Sequence, residues 1–317
     1  ISYSIAVEEL SAACGSTGLS YAAHTSLACM PLLWFGNEEQ KKKYLPKLCA
    51  GETLWGFGLT EANAGSDAAN SKTNAVLDGN EWVINGSKIF ITNASTDITA
   101  GVTVLCRTGT RDDGNPELSC ILVEQGTPGY TARVMHDKMM WRSSNTSELY
   151  FEDCRVPEMN LLGRSGDGIK IGLSALDTGR IGIAAQALGI AAGAYELALK
   201  YSKERKAFGT EIANHQAIAF KLADMHTQIQ AARLMVYQSA IDKDQGNDYD
   251  LSGAMAKLYA SQVAMDTAVE AVQIHGGNGY VKEYHVERLM RDAKITQIYE
   301  GTSEIQKIVI SRSILRD

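Results

Sequence analysis

The period of the hydrophobic pattern changes twice along this 317-residue chain, and that change constrains the fold most strongly. Residues 1–51 have helical periodicity, with Asn37 as a predicted N-cap before a basic helix. From Thr53 to about Gly163 the chain reads as strands and turns. After Gly166 the helical period returns and continues to the end. This order predicts an α+β protein of more than one domain.

The middle segment contains the strongest turn signals. Asp78-Gly79 and Asn85-Gly86 are dipeptides typical of tight hairpins, because both central turn positions favour positive φ. We expect each of them to separate two strands. The strand-like runs are 75–77, 82–84, 88–92, 102–106, 121–123 and 148–151. They predict a compact β domain, either a sandwich or a barrel.

The C-terminal segment has the periodicity of long amphipathic helices. One predicted helix face comprises Ile218, Leu222, Met225, Ile229, Ala232 and Val236. A second comprises Leu258, Met265, Val269 and Val272. Residues 183–198 are rich in Ala and Gly, which lets their backbone approach a neighbour closely. With a polar break at 244–250, the pattern predicts an antiparallel helical bundle.

Composition and charge exclude several classes of function. The net charge of -7 argues against nucleic acid as the main partner, because phosphate neutralisation needs clustered Lys and Arg. The six cysteines include no C-x-x-C pair and no His at zinc-ligand spacing, so we expect reduced thiols and no metal. No uninterrupted apolar run is long enough to cross a bilayer. The chain begins with Ile, so its native N-terminus and any targeting segment are expected to be missing.

Four polar or glycine-containing segments each admit two interpretations. The loop 57–67 is either plain surface or a ligand loop, and 90–93 is either strand packing or a stacking platform. Asp177 and Arg180 can pair with each other or face a polar ligand. The segment 273–280 is a normal helix C-cap, or a turn where a ligand approaches backbone.

The fifth segment, 299–306, is the most informative. An apolar run ends at Glu300, and Gly301 interrupts it before a helix restarts. Ser303 and Gln306 fit a capping box at the start of that helix. Taken alone, Glu300 is either a solvated turn residue or a functional carboxylate.

Together and in this order, these segments resemble the acyl-CoA dehydrogenase family over essentially the whole chain. The matching motifs are Leu59-Thr60-Glu61, Gly65-Ser66-Asp67, Ile91-Thr92-Asn93, residues 151–157, residues 205–209, residues 275–280 and residues 299–304. Gly179 occupies the place where isovaleryl- and long-chain-type relatives carry the catalytic base. The chain therefore looks most like the short-chain, or butyryl-CoA, type. It departs from the family at Met140, where Gly is usual, and at Ala62, where Pro is common.

The resemblance implies an N-terminal helical segment (1–52), a middle β-barrel (53–163) and a C-terminal four-helix bundle (164–317), without the first helices of the N-terminal domain. It also implies a homo-oligomer, typically a tetramer, that binds FAD partly across a subunit interface.

The resemblance also assigns site residues. The flavin side would be lined by Phe57, Leu59, Thr60, Ser66, Phe90, Ile91 and Thr92, with Thr92 at flavin N5. The FAD of the neighbouring subunit would be held by Arg205, Phe208, Gln216, Gln273, Ile274, His275, Gly276 and Gly277. The FAD phosphate region would be contacted by Thr302, Ser303 and Glu304. The acyl-CoA would be contacted by Ser66, Asp177, Arg180 and Gly301.

The activity implied is α,β-dehydrogenation of a short-chain acyl-CoA, with Glu300 abstracting the α-proton and an electron-transfer flavoprotein receiving the electrons. Three alternatives stay open: enoyl-CoA reduction in a bifurcating complex, an oxygen-reactive relative on the same fold, and a non-catalytic binding subunit. We expect a bacterial cytoplasmic protein, with the mitochondrial matrix as the alternative.

Overall fold

A computed structural model describes residues 1–316, which form two compact units. The first, called here the helical unit, comprises Ile1–Ala22, Met139–Ser143 and the chain from residue 177 onward. The second, the sheet unit, comprises Ala23–Lys138 and Ser144–Leu176. The predicted order of helical segment, β segment and helical segment is confirmed.

The helical unit is built around long helices. Its elements are α1 (Ser2–Ala13), α2 (Gly15–Ala23), α5 (Gly168–Glu204, whose first residues belong to the sheet unit), α6 (Gln216–Asp244), α7 (Asp250–His275), α8 (Val286–Ile295) and α9 (Ser303–Ile314), with the short strands β9 (Lys206–Ala207) and β10 (Thr210–Glu211). Helix α7 packs against α6, α8 and α9. One apolar core includes buried residues of α5, α6, α7 and α8.

The two predicted helix faces have different outcomes. On α6, five of the six predicted residues are buried and Ile218 is partly buried, so that face is confirmed. On α7 the predicted face is confirmed only in part: Met265 and Val272 pack against the core, but Val269 is 42% exposed, and most of the buried residues of this helix are small. Small side chains let neighbouring helices approach closely. The most closely packed face of α7 therefore shows little hydrophobic periodicity in the sequence.

Glycines of α5 allow close approach to α1, as the Ala- and Gly-rich composition predicts. A Cβ added at Gly189 would lie 2.2 Å from the carbonyl oxygen of Glu8. One added at Gly193 would lie 2.3 Å from the carbonyl oxygen of Ala12. Glu8 also accepts hydrogen bonds from Arg233 and Tyr237 of α6, which ties α1 to the bundle.

The sheet unit combines short helices with one eight-stranded sheet. A π-helical turn (His24–Cys29) precedes α3 (Met30–Phe35) and α4 (Glu38–Cys49). The strands are β1 (Leu54–Gly58), β2 (Asn74–Asp78), β3 (Glu81–Thr92), β4 (Thr99–Thr110), β5 (Pro116–Glu124), β6 (Tyr130–Val134), β7 (Thr146–Pro157) and β8 (Leu161–Leu162). Their order is β6-β7-β3-β2-β4-β5-β8, with β1 parallel to β4. The predicted β-barrel is thus a middle β-sheet domain whose hydrogen-bonded path runs from β6 to β8.

Strands β4 and β5 are buried on both faces. Val102, Val104 and Ile121 belong to one core within the folded sheet. Leu105 and Leu122 belong to a second core, which includes side chains of α3 and α4. Burial on two faces explains why these strands read as continuous apolar runs.

The turn predictions also differ in outcome. Gly79 lies in the hairpin between β2 and β3 with φ of 66°, as predicted. The turn predicted at Asn85-Gly86 is wrong, because both residues lie inside β3, where the register shifts between Ile84 and Gly86. Gly86 has φ of 142°, so its sequence signal marks a bulge. The Asn37 N-cap of α4 is confirmed, with a complete capping box to Gln40.

Helix α5 is the one described helix long and apolar enough to cross a bilayer by length and composition. Its most apolar 18-residue window is 78% buried inside the protein, which is typical of a core helix. The sequence of α5 contains no uninterrupted apolar run of that length, because polar and charged residues interrupt its apolar stretches.

Candidate active site

Glu300 lies in the turn between α8 and α9, in a conformation that few side chains adopt. Its φ is 49°, and the φ of Gly301 is 89°. This positive φ favours glycine at position 301, and a Cβ added there would also lie 2.5 Å from Nε2 at the end of the Gln306 side chain. Strained residues of this kind persist where the surrounding structure fixes them, often at functional sites.

The carboxyl group of Glu300 is shielded although the residue as a whole is partly accessible. Its Oε2 atom is buried and has no hydrogen-bond partner among residues 1–316. Burial raises the pKa of Glu300 to about 7, and the charges of Lys257 and Arg180 act in the opposite direction. A carboxylate of this kind takes up a proton near neutral pH, as a general base must.

Two side chains donate hydrogen bonds to the backbone carbonyl oxygen of Gly301, the residue after Glu300. Lys257 Nζ, on α7, donates to Gly301 O at 2.6 Å. Gln306 Nε2, on α9, donates to the same oxygen at 2.9 Å. Lys257 is fully buried, and burial lowers its pKa to about 8, against the opposing effect of Glu300. Neither residue is predicted from the sequence, because each reads as an ordinary helix position.

Asp177 and Arg180 form the predicted pair on α5, with 2.9 Å between Arg180 Nη1 and Asp177 Oδ1. Arg180 is 7% exposed, and its Nε atom is buried without a hydrogen-bond partner in the described part of the chain. Burial raises the pKa of Asp177 to about 6, and Arg180 opposes that rise. The unused Nε leaves one donor available to a ligand.

Tyr299 anchors the turn on the other side of Glu300. Its hydroxyl donates to Gln186 Oε1, and Gln186 Nε2 donates to Gly15 O at 2.8 Å. The Trp141 ring packs edge-on against the Tyr299 ring, with 4.9 Å between centroids. The residues before and after Glu300 are therefore both held by buried polar contacts.

The start of α9 differs in detail from the prediction. Thr302 is the N-cap, and its side chain accepts from the backbone N of Ile305 at 3.3 Å. The predicted capping box of Ser303 with Gln306 is wrong, because Gln306 bonds to Gly301 O and Ser303 lies inside the helix.

A cleft of about 340 Å³ brings together five of the predicted cofactor residues. It is lined by Tyr201, Arg205, Ile212, Ile274, His275, Gly276, Gly277 and Asn278. Added Cβ atoms at Gly276 and Gly277 would meet nothing within 4 Å, so the backbone there is open to a ligand. His275 Nδ1 donates to Ala271 O at 2.8 Å, and its ring stacks on Tyr201. Gln216 and Gln273 are exposed and are not among the cleft residues.

In the sheet unit, the predicted flavin residues also lie together. Ile89 N donates to Thr60 O at 2.9 Å, which joins the loop after β1 to the end of β3. The fully buried Lys88 donates to Leu59 O and to Glu61 Oε1, at 3.2 and 2.7 Å. Burial alone would raise the pKa of Glu61, but donors from Lys88, Ser71 and Lys72 lower it to about 2.

Phe90 is presented outward beside this anchored loop. It is 60% exposed with φ of 64°, while Ile91 is buried and Thr92 is half-buried. Phe57 is buried and Ser66 is exposed. Phe208, in the helical unit, is 98% exposed with φ of 52°. Of the six described non-glycine residues with positive φ, three are therefore predicted site residues.

Family models match nearly all of the chain. The N-terminal domain of acyl-CoA dehydrogenase matches residues 1–52, the middle domain matches 56–154 and the C-terminal domain matches 166–315. The chain belongs to the acyl-CoA dehydrogenase family. The resemblance read from the motifs is confirmed.

Two curated relatives of this acyl-CoA dehydrogenase differ in the activity that they are named for. The short-chain specific acyl-CoA dehydrogenase of Clostridium acetobutylicum is 50% identical over 316 residues, covering 100% of this chain and 83% of the relative. The acryloyl-CoA reductase (NADH) of Anaerotignum propionicum is 47% identical over 314 residues, covering 98% and 79%.

Solved structures agree over the same length. A chain from the electron transferring flavoprotein study of Acidaminococcus fermentans has a TM-score of 0.96 at 50% identity, covering 100% of this chain and 82% of that one. Butyryl-CoA dehydrogenase from Megasphaera elsdenii has a TM-score of 0.95 at 47% identity, covering 99% and 82%. An acyl-CoA dehydrogenase from Bacillus anthracis, solved with FAD, has a TM-score of 0.91 at 34% identity, covering 98% and 56%.

The residues present fit FAD on structural grounds. The open glycine backbone and Arg205 of the cleft suit an anionic, elongated ligand, since backbone N–H groups and guanidinium both bind phosphate. In the sheet unit, the exposed Phe90 ring beside the half-buried Thr92 suits a planar ring with polar edges. Among residues 1–316 no cluster of three metal-ligating side chains occurs.

Proposed function

We propose that this acyl-CoA dehydrogenase oxidises a short-chain acyl-CoA to the trans-2-enoyl-CoA, with Glu300 as the base for the α-proton. One observation carries the proposal: the Glu300 carboxyl oxygen is buried without a partner, and burial brings its pKa to about 7. A structural carboxylate at this depth would be paired. An unpaired one with a pKa near neutrality has the properties of a general base.

The residues around Glu300 have distinct roles in this reaction. Glu300 accepts the α-proton of the thioester and holds it as a neutral carboxylic acid. Arg180, with its unpartnered Nε, and Asp177 contact the acyl-CoA, as does Gly301. Because Tyr299 and Gly301 are both fixed by hydrogen bonds, the carboxyl group is oriented before substrate arrives, which lowers the entropic cost of reaction.

FAD, when bound, supplies the acceptor for the β-hydrogen, which leaves as hydride. We assign its binding to two groups of residues. The sheet unit contributes Phe57, Leu59, Thr60, Ser66, Phe90, Ile91 and Thr92. The helical unit contributes two sets. The FAD of a neighbouring subunit is held by Arg205, Phe208, Gln216 and the segment Gln273–Gly277 (with Ile274, His275 and Gly276). The FAD phosphate region is contacted by Thr302, Ser303 and Glu304.

Electrons then pass to an electron-transfer flavoprotein, the partner we propose. Reduction of an enoyl-CoA is the second candidate function, because a relative named as an acryloyl-CoA reductase (NADH) is 47% identical to this chain.

We further propose the domain division 1–52, 53–163 and 164–317. We propose the bacterial cytoplasm as the compartment, although relatives include mitochondrial proteins.

An anaerobic titration of the FAD-loaded protein with butyryl-CoA tests the substrate class. We expect the flavin absorbance to bleach with butyryl-CoA at lower concentration than with long or branched thioesters. Bleaching only by long or branched thioesters would contradict the short-chain assignment. A protein that binds FAD but bleaches with no acyl-CoA would contradict the dehydrogenase proposal.

Two additions to the same cuvette separate the alternatives. Rapid reoxidation of the reduced protein by air would indicate the oxygen-reactive alternative. Bleaching by NADH in the presence of the electron-transfer flavoprotein, followed by reoxidation with crotonyl-CoA, would favour the reductase direction.

A further inference from the structure

Lys257 is a charged side chain with no accessible surface, in the first third of α7, among the buried small residues Ala254, Ala256 and Ala260. Burying an ammonium group is costly unless it is paired or hydrogen-bonded. Its ammonium group donates a hydrogen bond to Gly301 O, at 2.6 Å. An apolar residue would fill this space at a lower desolvation cost, so packing alone does not explain a lysine at this position.

We propose that Lys257 is the positioning residue for the base, acting on Glu300 through the carbonyl group of Gly301. This inference rests on the proposed role of Glu300. The Gly301 carbonyl belongs to the peptide unit that follows Gly301, so holding it restricts backbone rotation directly after the turn, in which φ is 49° at Glu300 and 89° at Gly301. Lys257 Nζ of α7 and Gln306 Nε2 of α9 both donate hydrogen bonds to that oxygen.

The charge of Lys257 has a second effect, on the proton affinity of the base. Two cations act on the Glu300 carboxyl, Lys257 from α7 and Arg180 from α5. Tyr299 neighbours it in its own segment, and Glu304 of α9 acts on Lys257. Arg180 is already paired with Asp177, whereas Lys257 meets a neutral carbonyl. Lys257 is therefore the cation whose charge is least compensated by a direct partner.

Three variants separate positioning from mere packing. Lys257→Met keeps the length and removes both the donor and the charge. Lys257→Arg keeps the charge. Gln306→Leu removes the second donor to the same oxygen and leaves the charge unchanged. Lys200→Met, on the exposed surface of α5, is the matched control.

The readout is the rate of flavin bleaching by substrate as a function of pH, in a single turnover of the FAD-loaded protein. Wild type must bleach and Glu300→Gln must not, which tests the proposed function separately. We expect Lys257→Met to move the pH midpoint upward by about one unit, with a rate at pH 7 lower by roughly tenfold. Lys257→Arg should restore the midpoint. Gln306→Leu should lower the rate without moving the midpoint.

A measurement without substrate completes the test. The pH at which urea stability changes through Glu300 should also rise in Lys257→Met, and this change should vanish in the Lys257→Met/Glu300→Gln double variant. If Lys257→Met lowers stability equally at every pH but leaves the bleaching rate of the folded protein and both midpoints unchanged, Lys257 is only structural and the proposal is wrong. The same conclusion follows if its profile matches that of Lys200→Met.

Discussion

Glu300 is a carboxyl group whose surroundings oppose its charge, and this has a consequence for stability. Its pKa rises from 4.5 to about 7 on folding, so between these values the folded protein binds the proton more tightly than the unfolded chain does. Stability is therefore highest below pH 4.5 for this group and falls as pH rises towards 7. The expected contribution is about 3 kcal/mol.

Urea unfolding at pH 5 and pH 7.5 measures this effect as a difference between variants. The Gln side chain in Glu300→Gln cannot ionise. As pH rises, the free energy of unfolding of this variant should therefore increase relative to that of wild type, by up to about 3 kcal/mol. Glu196→Gln, an exposed residue of α5, is the control and should track wild type. Parallel pH profiles for wild type and Glu300→Gln would show that the carboxyl is not destabilised by burial.

The sequence predicted Glu300 but not the residues that support it. Glu300 stands out because a glycine follows it and a motif surrounds it, and both signals are local. Lys257 lies 43 positions earlier in the chain, and Gln186 lies on α5. Their relation to Glu300 exists only in the folded protein, so no spacing rule could find them.

Gly189 tests the close packing of α5 against α1. In an exposed helix, Gly→Ala stabilises by roughly 1 kcal/mol. At Gly189 the new Cβ would lie 2.2 Å from Glu8 O, so we expect Gly189→Ala to destabilise the protein instead. Gly253→Ala on α7 is the control, since its Cβ would lie 3.6 Å from the nearest atom. Thermal unfolding should show a lower midpoint for the first and an equal or higher one for the second. Equal midpoints would mean that α1 does not contact α5 this closely.

The ion pair of Lys88 and Glu61 anchors the loop that carries Leu59 and Thr60. Removing one member of a buried pair leaves an uncompensated charge, so Lys88→Met should cost about 3 kcal/mol or more. Lys72→Met, at an exposed neighbouring position, should change stability by less than about 0.5 kcal/mol. Denaturant midpoints give both values, and a loss below about 1 kcal/mol for Lys88→Met would show that the pair is dispensable.

At the scale of elements, the sequence predicts type and order better than boundaries. The α6 face was predictable because large apolar side chains mark it. The α7 face was predictable only in part, because alanine carries little hydrophobic signal. Asn85-Gly86 failed for another reason: the positive φ that favours a hairpin turn also serves a bulge within a strand.

The whole molecule is expected to act as an assembly. Family members are typically tetramers, so light scattering should give about four times the chain mass of 34.3 kDa.

Phe208 is 98% exposed in the single chain, which is unusual for a large aromatic side chain. We expect Phe208→Asp to leave the unfolding of the FAD-free protein unchanged and to reduce FAD occupancy. Unchanged FAD occupancy would show that Phe208 does not contact the cofactor.

The order of helical, β and helical segments was predictable from periodicity alone, but function required the motifs in sequence order. Each motif has an ordinary structural reading. Their joint presence indicates the family, and the structure then adds the contacts that explain why Glu300 is suited to accept a proton.

Hydrogen exchange tests removal of the α-proton by Glu300 most directly. 3-Thiabutanoyl-CoA has acidic α-hydrogens, but sulfur replaces the β-carbon, so no hydride can leave. Incubated in D2O with the FAD-loaded protein, it should take up α-deuterium, measured by mass spectrometry. Glu300→Gln should lower that rate at least about 100-fold, while Glu196→Gln should leave it unchanged. Exchange by Glu300→Gln at the wild-type rate would contradict the assignment of Glu300 as the base.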